Sequence, residues 1–174
     1  GTVQMNNLSF TGGAIQGDET LVLRGGATWT GGAMSGSGST ILGTGASLNV
    51  SGSAPKTLVG RTLDNYGTAT VDTSAFSMSD QATINNQMDG LWTLGGDHTF
   101  GAAGTFPNTF VNQGTLQKTA GTGAYTFEPT LENSGIVKVG SGTLQLGGGG
   151  VHTGEFNQLA GTMVTFFGGE HALN

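Results

Sequence analysis

No cysteine occurs among the 174 residues, which excludes disulfides and thiolate metal sites and leaves the redox compartment open. Proline numbers only three, and the 34 glycines follow no three-residue period, so a collagen-like chain is excluded. Basic side chains number five, Arg24, Lys56, Arg61, Lys118 and Lys138, against eleven acids. They are scattered, so no basic stripe exists to neutralise phosphates, and neither nucleic acid nor an anionic membrane surface is an expected partner. No run of 18 apolar residues occurs, so no helical membrane insertion is expected. Charged residues make up 9%, but the chain is not read as disordered, because Leu, Val, Ile, Phe and Thr recur in short alternating runs. Gly1 in place of Met suggests a segment of a longer chain, so no address signal is expected within it.

What is present is repetition. Phe10-Thr-Gly-Gly-Ala-Ile-Gln-Gly17 returns nineteen residues later as Trp29-Thr-Gly-Gly-Ala-Met-Ser-Gly36. The echo continues, with Leu23 matched by Leu42 and Gly26-Ala27 by Gly45-Ala46. A unit this short cannot bury a core alone and must stack on its neighbours. Short apolar runs bounded by Gly and Ser read as strands, and essentially no helix is expected. Phe10 and Trp29 are expected to stack in the core.

A second pattern follows. Leu63-Asp64-Asn65-Tyr66-Gly67 returns as Phe110-Val-Asn112-Gln-Gly114 and Leu131-Glu-Asn133-Ser-Gly135, with Ile84-Asn85-Asn86 between. One asparagine per coil, at 65, 86, 112 and 133, reads as a structural ladder. Each is expected at a turn in the left-handed conformation, with its amide bonding the backbone or the next asparagine. The fold class is therefore all-β, a right-handed parallel β-helix of about eight coils, roughly 40 Å long at the usual strand spacing. An antiparallel β-sandwich is the alternative, disfavoured because sandwiches need no equivalent residues every twenty positions. One domain spans 1–174, with short regular coils at 10–62, irregular loop-rich coils at 63–109 and Asn-x-Gly coils at 110–174.

The run from Phe110 to Lys118, the run from Leu131 to Gly148, and Phe167-Gly-Gly-Glu-His-Ala-Leu173 resemble repeat segments of large secreted bacterial surface proteins. These are adhesins of the filamentous-haemagglutinin type and autotransporter passenger domains. The resemblance implies an extracellular or cell-surface location and a structural or adhesive role beside neighbouring coils of a longer chain. It supplies no catalytic residues.

Candidate chemistry is sparse. Leu94-Gly-Gly-Asp-His-Thr-Phe100 matches Phe167-Gly-Gly-Glu-His-Ala-Leu173, but adjacent strand residues face opposite ways, so no metal site is expected. Calcium-roll, EF-hand and phosphate-loop motifs are absent. No Gly-x-Ser-x-Gly elbow occurs, and no histidine stands in a context that suggests a triad. Asp64 and Glu132 share a face but stand three coils apart. Asp72, Asp80 and Asp89 lie in the least regular segment and are where catalysis would be sought, though solvated loop acids are the simpler reading. Trp92, expected to face solvent, and the turn-adjacent Tyr66 and Tyr125 are candidate carbohydrate contacts.

These observations lead to the expectation of a non-enzymatic structural or adhesive solenoid segment, without cofactor, acting as a rigid display rod. Its open ends are expected to allow end-to-end self-association. A carbohydrate-binding module or polysaccharide-active enzyme is the alternative, with glycans or other cell surfaces as partners. Ice binding is a lesser one, because Thr-x-Thr occurs only at 28–30 and 68–70 and does not recur at coil spacing.

Overall fold

A computed structural model describes all residues, Gly1–Asn174. Twenty-five short strands and no helix wind through three parallel sheets of nine, eight and eight strands. The chain visits these faces, here A, B and C, in strict rotation, giving eight three-strand coils and one further strand on face A. Every pairing is parallel and joins one coil to the next, as the repeat required of units too small to fold alone. The fold is a three-sided parallel β-helix.

Alternation within each strand sends side chains inward and outward by turns. Thr62–Asn65, for example, buries Leu63 and Asn65 and leaves Thr62 and Asp64 half-buried. Outward, the first position of the face A strands forms a column of Thr2, Thr20, Ser39, Thr62, Thr83, Thr109 and Thr130. Inward, aromatic rings form a file. Phe10 and Trp29 stack with centroids 5.9 Å apart, as expected, and Phe76, Phe100 and Phe127 continue the file at 5.4, 4.7 and 5.1 Å.

Register pairs Phe10 with Trp29 and Leu23 with Leu42, as the echo implies. It departs from the echo at Gly26, which lies opposite Ser47 rather than Gly45. The turn at Thr44-Gly45 lengthens that coil by two residues. Through 63–109 the three-strand rotation continues unbroken. The surplus of the longest coil is concentrated in the corner of residues 104–108, between Thr99–Ala103 and Thr109–Asn112. Asn108 closes it from inside, donating to the Ala103 carbonyl at 2.9 Å and accepting from the Ala82 N–H at 3.1 Å.

One inward column on face A changes character along the rod: Met5, Leu23, Leu42, Asn65, Asn86, Asn112, Asn133, His152, Leu173. The four asparagines are buried. Each of the first three donates through Nδ2 to the next Oδ1, at 2.7, 2.8 and 2.7 Å. The second Nδ2 proton of each goes to a face B carbonyl of the coil above, Leu91, Thr115 or Ile136. Amides thus stack rung on rung, as in cross-β ladders.

The expected left-handed backbone at these positions is not found. Among non-glycine residues only Asp80 and Gln81 have positive φ, and the asparagines end extended strands. They satisfy polar groups inside, and Asn65 alone also braces its turn, its Oδ1 accepting the Gly67 N–H at 3.1 Å. The glycine two positions on has a separate cause: a Cβ at Gly135 would lie 2.3 Å from the Gly114 carbonyl oxygen of the coil below.

Three of the five basic side chains are also interior. Arg61 reaches across two coils, donating to Thr40 Oγ1 and to the carbonyls of Gly17, Glu19, Ser35 and Ser39 at 2.7–3.3 Å. Arg24 and Lys138 are left as the exposed cations, against eleven acids of which none is buried.

Because the ladder is linear, a middle rung matters more than the last one. Asn112→Ala strands both Asn86 Nδ2 and Asn133 Oδ1, and should lower the unfolding free energy by about 2–6 kcal/mol at about 1–3 kcal/mol per orphaned buried group. Asn133→Ala, at the head of the ladder, should cost roughly half as much. Urea denaturation of the two variants checks the ordering, and equal losses would count against a linear ladder.

Candidate functional site at the B-to-C corner

The corner where the chain passes from face B to face C gathers a dense set of charged and polar side chains. Successive turns stack there: 52–55, 73–75, 95–98 and 119–123. Two buried lysines pin them from within. Lys56 donates to the carbonyls of Gly52 and Ala54 at 2.8 and 2.5 Å. Lys118 donates to the carbonyls of Ala120 and Gly121 and to Asp97 Oδ1 at 3.0 Å. The Gly123 N–H, at 2.9 Å, and then Lys118 hold the Asp97 carboxyl below the usual carboxylate range. Burial lowers the proton affinity of Lys56.

Between these lysines three side chains from two neighbouring coils form a chain. His98 Nε2 lies 2.9 Å from Asp72 Oδ1, and His98 Nδ1 lies 3.1 Å from Ser74 Oγ. Asp72 ends the strand Thr68–Asp72, Ser74 follows in the turn, and His98 comes from the coil above. The Gly95-Gly96 turn leaves them room: a Cβ on Gly96, whose φ is +69°, would sit 2.7 Å from His98 Nε2. Tyr125, one coil higher, sets its ring edge-on to the imidazole at 6.3 Å. Sequence reading found no triad context because these residues converge only once coils of unequal length are stacked. The signal was the His98 motif with its twin glycines, and it did not identify the partners.

The other candidates are dispersed. Trp92 does not face solvent. It is fully buried, with Leu94 inward and Leu91 and Thr93 outward, and it lies in register above Ala69, whose small side chain leaves space for the indole. Tyr125 is equally buried, and that burial, with the nearby Asp72 charge, pushes its phenol pKa well up. Neither ring can stack on a sugar. Tyr66 remains exposed.

Asp72, Asp80 and Asp89 do not gather in one loop. They occupy the B-to-C, C-to-A and A-to-B corners of a single turn of the helix, because the supposed irregular segment is regular there. Asp64 and Glu132 stand in one column with Asn85 and Val111 between them, three rungs apart as expected. No group of three or more His, Asp or Glu side chains converges as metal ligands would.

The two acid–His motifs are not structural equivalents. His98 sits at the B-to-C corner, whereas His171 begins the last face A strand, His171–Leu173. There its Nδ1 lies 3.0 Å from Nε2 of the buried His152, with the rings stacked at 5.3 Å. Burial, and secondarily His171, lower the His152 pKa from the ordinary 6.5. The unfolded chain therefore takes up this proton before the folded one does. The contribution of neutral His152 is complete well above pH 6.5 and is lost progressively as the pH falls below it. Urea unfolding at pH 7.5 and 5.5 should show a stability drop that shrinks in His152→Leu, which installs the residue found at 42 and 173 in the same column. An unchanged drop would exclude His152 as its source.

No protein-family model, no curated protein and no solved structure matches this chain.

Proposed function

We propose that this β-helix is a rigid structural or adhesive segment of a longer extracellular or cell-surface polypeptide. The observation that carries this reading is the contrast between its sides and its ends. Along the sides, inward polar groups are spent on one another: the asparagine ladder, the two corner lysines and Arg61 all bond within the wall. At the ends, complete strand edges are open. The lower edge is formed by Thr2–Met5, Leu8–Phe10 and Ala14–Ile15, and the upper by Glu155–Gln158, Met163–Phe166 and His171–Leu173. These edges expose Val3 below and Leu159, Met163, Phe166 and Leu173 above, with Leu173 at 65%.

Unpaired edges with apolar side chains are templates for further coils. Each added coil would extend the rod by about 4.8 Å. Such a rod sets its outward turns at fixed intervals, which suits multivalent contact with another surface. The motif resemblance to secreted surface repeats points the same way. The alternative of a carbohydrate-binding module keeps Tyr66 as its one exposed aromatic candidate.

Open edges make the isolated segment self-associate end to end. Sedimentation across rising concentration should show reversible association that the double variant Met163→Lys/Leu173→Lys abolishes. A strict monomer at high concentration would contradict the continuing-rod reading. Specific retention on a glycan array, lost in Tyr66→Ala, would favour the carbohydrate module instead.

A further inference from the structure

The geometry points to an acyl-transfer site at the B-to-C corner: Ser74 as nucleophile, His98 as its base and Asp72 as the group that orients the base. This goes beyond the rod reading and does not depend on it. A serine hydroxyl becomes a nucleophile when a base within hydrogen-bond reach takes its proton and a third group holds that base in the right tautomer. All three conditions are met here. A carboxylate only accepts, so Asp72, at 2.9 Å, places the ring proton on Nε2 and leaves the Nδ1 lone pair directed at Ser74 Oγ, 3.1 Å away. The Thr99 N–H donates to Ser74 Oγ at 3.4 Å, which turns the hydroxyl proton toward the imidazole. The Tyr125 ring stands nearly perpendicular to the imidazole on the coil above. The ring nitrogens have exchanged the partners usual in such triads, but either one can serve as the base.

The remaining requirement is a donor for the oxyanion. The Ser74 backbone N–H makes no hydrogen bond within the chain and belongs to the nucleophile itself, a position from which backbone donors serve tetrahedral intermediates. The site opens onto a broad, shallow groove of about 510 Å³ lined by Gly52, Ser53, Thr73, Ala75 and the triad, with Ala75 the one apolar side chain. No apolar slot exists for a long acyl chain. The surroundings carry Asp72 and Asp97, and the chain as a whole has a net charge of −6. The substrate class is therefore a neutral ester of a short acyl group on a polar alcohol.

The step balances without a cofactor. Ser74 Oγ attacks the ester carbonyl as its proton passes to His98 Nδ1, and the oxyanion collapses. The C–O bond to the alcohol breaks, and the alcohol leaves with the proton returned from His98. Water, deprotonated by the same nitrogen, then attacks the Ser74 ester, giving the carboxylic acid and free Ser74.

The test uses a fluorophosphonate probe and 4-nitrophenyl acetate on the intact chain. Mass mapping should place the phosphonyl adduct on Ser74, with labelling lost in Ser74→Ala. Ester turnover should fall about 100-fold or more in Ser74→Ala and His98→Ala, in line with the loss of general-base assistance. Asp72→Asn should lower kcat with little change in KM. Ser74 and Asp72 are exposed, so these variants should keep the wild-type unfolding midpoint, which separates lost chemistry from lost fold. No adduct at Ser74 in the folded protein, or turnover unchanged in Ser74→Ala, would overturn the assignment.

Discussion

Everything in this molecule depends on parallel register between coils. Each strand pairs with its equivalent one coil away, so an inward side chain always meets the equivalent side chain above and below it. A polar residue placed inside must therefore be answered in the next coil or left unpaired at a cost of about 1–3 kcal/mol. Asparagine meets this demand because one amide both donates and accepts along the axis. Within its column the ladder is flanked by Leu42 below and His152 above, so it has a foot and a head. The foot is Asn65 Oδ1, which accepts the Gly67 N–H, and the head is Asn133 Nδ2, which has no partner.

The same constraint explains the interior cations. A lysine on an inward position of a narrow solenoid has no water to reach, but a corner lies within the length of its side chain. Lys56 and Lys118 bend to the carbonyls of their own turns, and Arg61 binds carbonyls of two coils below its own. These residues tie turns into a stack and leave acids as most of the exposed charge. At the corners turn lengths vary, so side chains from non-equivalent positions of neighbouring coils can meet. The Asp72–His98–Ser74 chain is such a meeting, built from residues of two coils and given room by two glycines.

Much of this was legible in the sequence. The Phe10–Trp29 echo gives the coil length and the first pairs of the aromatic file, and the asparagines at 65, 86, 112 and 133 give the register of four coils. The location of those asparagines was not legible, because Asn before Gly reads equally well as a turn signal. Only the burial of the strand end shows that the amide points inward. Trp92 shows a related ambiguity: alternation gives a period of two but not its phase, and Leu91 and Leu94 make either phase plausible. The corner site was hidden for a different reason. Ser74 and His98 are 24 residues apart, and coil lengths here run from 18 to 27, so no fixed spacing marks which turns will stack. The two Gly-Gly-acid-His motifs misled similarly, since identical words fall on different corners.

The central claim is that a buried amide ladder fixes the register of the middle coils. It is tested most directly by hydrogen exchange of the asparagine side-chain amides, observed by NMR in the folded protein. The Nδ2 protons of Asn65, Asn86 and Asn112 should exchange far more slowly than those of the exposed Asn157, and be protected to a degree comparable with the backbone amides of face A. Exchange of these amides at the rate of freely solvated ones would contradict the ladder, and with it the register on which the fold is built.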